Sequence, residues 1–394
     1  MVYVRSLRLQ NFRSWDAADF EFGPGVSVLL GRNGFGKTNV IEAVNYVATL
    51  RSHRVPTDAP LIRTSAETAT VVATVENSGR ELTVELQLSP GRANKALING
   101  SPRRGPREVL GVLRSVLFSP EDLQLVRGDP AERRRFLDDL AAMRSPATAA
   151  AKSDYDRVMR QRTALLKTAA AAMRRGGDDA ASVISTLDVW DGQLAAFGSQ
   201  VIAARLAVLH DVEPHVVQAY STIAPDSRLV RLCYRSSGEH SPVGAADQPI
   251  AADVLQQWLL SELNRMRSRE IDRGVCLVGP HRDDLELWLG AEPAKGFASH
   301  GESWSLALSL RLGSVELIRA DGAEPVLMLD DVFAELDAAR RAALVHHVRD
   351  AEQVLITAAV AEDIPAELSG QRIEVTVEDV DGLRVSRVES VVTA

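Results

Sequence analysis

The octapeptide Gly31-Arg32-Asn33-Gly34-Phe35-Gly36-Lys37-Thr38 constrains this chain more than any other stretch. It fits the spacing G-x-x-x-x-G-K-[ST], and its neighbours are the two elements that spacing requires. Before it, Val26-Ser27-Val28-Leu29-Leu30 is a short apolar run that reads as a buried strand. After it, Val40, Ile41, Val44, Val47 and Ala48 recur on one face of a helix. Strand, glycine-rich turn and helix in that order aim backbone N–H groups and a positive helix terminus at an anion. A nucleotide is therefore expected at residues 31–38. Lys37 would reach the β- and γ-phosphates, and the Thr38 hydroxyl would ligate Mg²⁺.

A second element fits the same chemistry. Pro325-Val326-Leu327-Met328-Leu329 reads as a core strand and ends in Asp330-Asp331. A carboxylate at the C-terminal end of a strand can hold Mg²⁺ beside the phosphate loop, which is the role expected of Asp330. Asp331 is placed to polarise an attacking water, so it and Lys37 are the catalytic candidates.

The rest of the chain falls into three parts. Residues 1–125 read as strands around one helix, including Thr70-Val71-Val72-Ala73-Thr74-Val75 and Glu81-Leu82-Thr83-Val84-Glu85-Leu86. Residues 126–270 read as helix, interrupted at Arg175-Gly176-Gly177-Asp178-Asp179 and by a loop at Ser236–Pro242. From 271 to 394 strand signals return, with Gln353-Val354-Leu355-Ile356-Thr357 as a further core strand. The predicted architecture is one α/β head with a mixed sheet, built from both ends of the chain, and a mainly helical insertion. The formal net charge of −8 argues mildly against nucleic acid, but it hides an asymmetry. Residues 127–175 carry 12 Lys/Arg against 6 Asp/Glu, whereas 319–394 carry 7 against 16. The basic stretch fits either phosphate contact or a solvated helix face. Cys233 and Cys276 match no metal spacing. No apolar run of about 18 residues is evident and the N-terminus alternates like a strand, so a cytoplasmic protein with no membrane partner is expected.

Ser299-His300-Gly301-Glu302-Ser303 precedes a helix and lies about 30 residues before Asp330. It resembles S-x-G-[EQ], the signature of ABC-type ATPases, although Ser299 with Glu302 is equally a capping box. Leu336-Asp337 resembles the D-loop of the same class. Leu9-Gln10-Asn11-Phe12-Arg13-Ser14 is similar to the opening of RecF and SMC-type heads. Arg51-Ser52-His53-Arg54, Leu117-Phe118-Ser119-Pro120-Glu121-Asp122-Leu123, Arg133-Arg134-Arg135-Phe136-Leu137-Asp138 and Gly279-Pro280-His281-Arg282-Asp283-Asp284-Leu285 resemble segments of the RecF family. Two positions depart from the transporter pattern: Ala358 stands where a switch histidine is usual, and Asp331 replaces a glutamate.

The resemblance implies an ATP- and Mg²⁺-dependent protein of DNA repair, replication and recombination. Asn11, Arg13 and Ser14 would join the ATP site. Ser299, Gly301, Glu302 and Asp337 would meet the nucleotide held by a second copy, giving an ATP-dependent homodimer. The implied partners are double-stranded, gapped and single-stranded DNA, RecR and RecO, with Arg133, Arg134 and Arg135 as DNA contacts. His281, Arg282 and Asp283 fit a buried network between head and arm, while His53 and Arg54 fit nucleotide or DNA contact or a helix cap. A transporter ATPase is disfavoured by the roughly 260 residues between Thr38 and Ser299. An SMC-type structural protein would need a long coiled coil, and a P-loop kinase would need an acceptor pocket that no sequence feature suggests.

Overall fold

The computed structural model describes residues 1–77, 79–175, 177–239, 241–243 and 249–392. Gly176 and His240, within two of the expected interruptions, lie outside them. The chain forms two compact units: Met1–Leu123 with His215–Ser227 and Ser299–Ala394, and Gln124–Pro214 with Arg228–Ala298.

The first unit contains two six-stranded sheets. In one, the strands Trp15–Glu21, Val2–Phe12, Ala69–Asn77, Arg80–Leu88, Lys95–Ile98 and Ser101–Pro102 run antiparallel in that spatial order. In the other, the phosphate-loop strand Gly25–Leu30 lies between Gln353–Ala358 and Gln371–Val380, parallel to both. Val326–Asp330 and Ser115–Phe118 extend the parallel set, and Leu383–Val392 closes the opposite edge antiparallel. The expected mixed sheet is therefore present, with a second, wholly antiparallel sheet beside it.

The helix Lys37–Thr49 explains why two sheets are needed. Val40, Ile41, Val44 and Val47 are fully buried, but so are Glu42 and Ala43, and Tyr46 nearly so. The sequence pattern suggested one apolar face; the helix is enclosed all round. Val71, Val84 and Leu86 of the antiparallel sheet and Leu29, Met328 and Leu355 of the other share one core with it. Each fully buried aliphatic side chain there contributes about 1.5–3 kcal/mol. The helix is thus fixed from both sides, and with it the turn at its N-terminus.

The second unit packs the helices Pro130–Arg144, Pro146–Arg175 and Ala252–Arg273 and most of Gly177–Ile223 with a small sheet of Val230–Arg235, Asp284–Leu289 and Glu292–Pro293. Its interior contains buried polar networks. Arg162, fully buried, bonds Asp191 at 2.5 Å and Glu270 at 2.6 Å. Arg205 bonds Asp138 at 2.7 Å and 3.0 Å and the Pro280 carbonyl at 2.7 Å. The expected network at 281–283 belongs here and lies inside this unit. His281 Nδ1 is 2.6 Å from the Tyr155 hydroxyl, and Asp283 accepts from Tyr234 at 2.7 Å and from the Ser237 N–H at 2.8 Å.

One expectation needs correction. The segment Ser182–Ile223 is long and apolar enough on average to pass a test for a membrane span. Alanine and leucine reach that average without the uninterrupted run expected of a span. Of its most apolar window 56% is buried, which is how the core helix of a globular fold behaves.

Arg205→Met is expected to lower stability by about 3–5 kcal/mol, because it strands the Asp138 carboxylate in the interior. Replacing Arg205 and Asp138 together should cost less, as chemical denaturation of both variants would reveal. His281 gives a pH dependence: burial pushes its pKa down to about 4, against 6.5 for an unhindered imidazole. The folded state stays neutral while the unfolded chain takes up a proton below pH 6.5. Stability is therefore whole above that value and is lost as pH falls towards 4, by up to roughly 3 kcal/mol. His281→Gln should flatten the melting-temperature profile across that window.

Candidate nucleotide site

Backbone conformation shapes the loop at 31–38 before any side chain acts. Gly36, the helix N-cap, has φ 98°, and a methyl group there would lie 2.4 Å from Ser386 Oγ and 2.6 Å from Ser14 Oγ. Gly31 has φ 151° and passes so close to the next strand that its methyl would lie 2.3 Å from the Val375 carbonyl oxygen. Both positions demand glycine. No side chain caps the helix and no acid sits in its first turn; the Asn39 N–H turns back to the Gly36 carbonyl at 3.1 Å, and the N–H groups of Lys37 and Thr38 face the site of an anion. Arg32, Asn33 and Gly34 are exposed, while Phe35 packs on the core.

Lys37 is buried and its ammonium bonds back to the Gly31 carbonyl at 2.6 Å. Burial lowers its pKa, with Asp331 and Asp330 opposing that. Thr38 Oγ1 donates to Asp330 Oδ1 at 2.9 Å, joining the phosphate loop to the adjacent acidic strand end. Thr357 donates to the same oxygen at 2.6 Å, because strand register sets it directly beside Asp330. Its hydroxyl also accepts the Asp331 N–H at 2.9 Å. Asp331 is held in the left-handed region, φ 49°, an uncommon conformation that turns the chain at the strand end. Burial raises the Asp330 pKa to about 6, against the pull of Thr357 and Thr38. His53 Nε2 lies 4.0 Å from Asp330 Oδ2. Both ring nitrogens of His53 are buried without a partner, and burial lowers its pKa, so the pair is not an ion pair at neutral pH.

The residues fit a magnesium nucleotide. A hydroxyl and a carboxylate side by side are hard oxygen donors, and Mg²⁺ on a triphosphate takes only one or two protein ligands. Among the described residues no cluster of three or more His, Cys, Asp or Glu could hold a metal unaided.

Asn11, Arg13 and Ser14 form a turn against this loop. Asn11 and Arg13 have φ 52° and 55°, and the turn is pinned by Arg13 N–H to Leu61 O and Arg63 N–H to Asn11 O. Trp15 Nε1 donates to the Gly36 carbonyl at 3.1 Å, and Ser14 Oγ accepts from Asn39 at 2.8 Å. Arg13 holds Glu42 through two bonds of 2.6 and 2.8 Å. Glu42 is fully buried, yet Arg13 and Ser52 overcome the cost of burial and keep its pKa low. Arg54 donates to Asn39, in the first turn of the phosphate-loop helix, at 3.0 Å.

Ser299 with Glu302 and Asp337 with Arg340 form two capping arrangements, and Gly301 lies against Arg340. Ser299 caps the helix His300–Ala320 by accepting the Glu302 N–H at 3.2 Å, and Glu302 accepts the Ser299 N–H at 2.9 Å. Asp337 caps Ala338–Val348 and pairs with Arg340, whose Nε donates to Ser305 at 2.9 Å. A methyl on Gly301 would lie 2.7 Å from Arg340 Nη2, so the small residue admits this guanidinium.

The three consecutive arginines do not form one surface, which corrects the expectation for them. Successive helical positions point in different directions. Arg133 is buried and grips Asp284 with two bonds of 2.8 Å; Arg134 donates to the Asp283 carbonyl; Arg135 pairs with Glu132 and stays partly exposed. Thr357, Glu42, Ser386 and Arg384 were not singled out from sequence. Arg384 has its guanidinium 3.8 Å from where a methyl on Gly34 would sit, and its only sequence signal is a basic residue in a late hairpin.

This fold and donor set define an ATPase head of the ABC type. The family model for the RecF/RecN/SMC N-terminal domain matches residues 3–377. A DNA replication and repair protein RecF of Rhodococcus erythropolis is 55% identical over 400 residues, 98% of this chain and 97% of that protein. The chain belongs to the RecF family. Its fold resembles a solved recombination mediator RecF–ATP of the RecFOR pathway, with TM-score 0.84 at 23% identity over 99% of this chain and 98% of that one. The head domain of Smc from Pyrococcus furiosus is more distant, with TM-score 0.53 at 16% identity over 99% and 97%.

Thr357→Val should raise the Asp330 pKa further by removing a hydrogen bond to its charged form. Magnesium-dependent nucleotide affinity should then weaken most between pH 6 and 7, as fluorescent-ATP titrations at several pH values would show.

Proposed function

We propose that this protein is an ATP-gated DNA clamp acting in recombinational repair of single-strand gaps and in replication recovery, and that it helps load recombinase. The observation that carries the reading is the bonded set Thr38, Asp330 and Thr357, with Lys37 folded onto the Gly31 carbonyl beside it, at a helix terminus without a side-chain cap. Within it Lys37 and the backbone of 31–38 bind the triphosphate, Thr38 and Asp330 hold Mg²⁺, and Asp331 orients the attacking water. The bound ion supplies charge neutralisation at the phosphates. Ser299, Gly301 and Glu302, with Asp337 behind them, meet the γ-phosphate of a second copy, so ATP closes a homodimer and hydrolysis reopens it.

The chain's family supports the remaining assignments. The 55%-identical relative is a DNA replication and repair protein, and the solved RecF–ATP structure is placed in the RecFOR pathway. RecR and RecO are accordingly the proposed protein partners, double-stranded and gapped DNA the proposed nucleic acid, and the cytoplasm the proposed location. Contacts to phosphates would make DNA affinity salt-dependent and largely independent of sequence.

Lys37→Ala should abolish ATP binding, ATP-driven dimerisation and ATP-dependent DNA affinity together, as read by light scattering and fluorescence anisotropy with gapped DNA. Dimerisation and DNA binding that persist unaltered in that variant would sink the clamp. Steady-state hydrolysis is expected below about 10 s⁻¹, the median enzyme rate, because Asp331 is a short acid and Ala358 takes the place of a phosphate-sensing histidine.

A further inference from the structure

We propose that residues 89–107, a β-hairpin and the turn after it, form a docking surface for the phosphates of duplex DNA. The proposal rests on the proposed function, that this protein binds DNA, and it assigns that binding to residues no motif marks. The segment holds Arg92, Lys95, Arg103, Arg104 and Arg107 and no carboxylate, in a chain whose net charge is −8. All five are exposed. Most other arginines of this unit are matched internally: Arg5 to Glu81, Arg8 to Asp19, Arg311 to Asp122. The five side chains of the hairpin make no ion pair among the described residues.

Backbone pairing gathers them. Lys95–Ile98 pairs antiparallel with Ser101–Pro102, and the Arg103 N–H then donates to the Ala96 carbonyl at 2.8 Å, which sets Arg103 opposite Ala96, one residue along the strand from Lys95. Arg107 rides on the short helical turn Pro106–Val109, anchored by fully buried Val109. Five exposed like charges within 16 residues of chain repel, and a polyanion removes that cost. The nearby acids form no ion pair with them: Glu108 accepts from the Arg104 N–H and Asp58 from the Asn94 amide. The segment has no aromatic residue, and its largest apolar side chains, Leu97 and Ile98, are half-buried. Anchors for a protein hot spot or for membrane insertion are therefore lacking, and charge is what the surface offers.

The surface is also tied to the nucleotide site. Asn94, in the turn between Arg92 and Lys95, donates to the Tyr46 hydroxyl at 3.1 Å, and Tyr46 belongs to the helix that begins at the phosphate loop. The hairpin thus keeps a fixed register with that helix.

The test replaces Arg92, Lys95, Arg103, Arg104 and Arg107 with Gln in the full-length protein and measures affinity for a mixed-sequence duplex against salt concentration, with ATP present. Duplex affinity should fall about tenfold or more near 0.1 M salt, and the slope of log K against log[salt] should shrink by about 0.9 for each phosphate that is no longer neutralised. ATP affinity and melting temperature should stay as in the wild type. A companion variant with the four arginines changed to Lys should bind as the wild type does, since phosphates read charge. Unchanged affinity and slope in the Gln variant would overturn the site alone, as would loss of binding in a folded Lys variant. A greater loss of binding to phosphatidylserine vesicles than to duplex would overturn the assignment to DNA. Wild-type protein that binds ATP but no duplex would overturn the site together with the functional reading beneath it.

Discussion

The carboxylate of Asp330 is the junction on which the site depends. It is nearly buried, and its Oδ1 takes hydrogen bonds from Thr38 on the phosphate-loop helix and Thr357 on the neighbouring strand. Three stretches of chain far apart in sequence are located by one oxygen atom. An isolated buried carboxylate would be costly, and the two hydroxyls reduce that cost without supplying a countercharge. The remaining cost appears as the raised pKa, and a divalent cation beside the carboxylate would reverse it.

Enclosure of the phosphate-loop helix by two sheets has a related effect. Surface helices can tilt or slide on their support, but the side chains of Lys37–Thr49 meet packed atoms on nearly every side. Close-packed interiors transmit displacement because they have few voids to absorb it. The buried Arg13–Glu42 pair extends this rigidity to the N-terminal turn, so the loop is flanked by Ser14 and Trp15 at fixed positions.

Much of this was legible from sequence, for a specific reason. The phosphate loop, the acidic strand end and the capped signature segment are each contiguous, so local spacing carried them. The partners that complete them are not contiguous. Thr357 matters through strand register with Asp330, and Glu42 matters through Arg13 and Ser52, which lie 29 and 10 residues away in the chain. Three adjacent arginines invited a reading as one surface, which helical geometry disperses. The basic hairpin carries no local signal: glycines and prolines break 89–107 into pieces, and only the pairing of Lys95–Ile98 with Ser101–Pro102 folds them into one surface segment. The all-round burial of the first helix required the antiparallel sheet, whose place over that helix no local pattern encodes.

The capping box at Ser299 has a further implication for molecular recognition. Accepting the Glu302 N–H uses a lone pair of the serine oxygen and leaves its proton unspent. The same bond fixes the side-chain rotamer, and Glu302 locks the backbone from the other side. An arriving oxyanion would therefore find a hydroxyl already oriented, and accepting its proton would require no bond in the protein to break. Such preorganisation spares the reorganisation that a freely rotating serine would undergo.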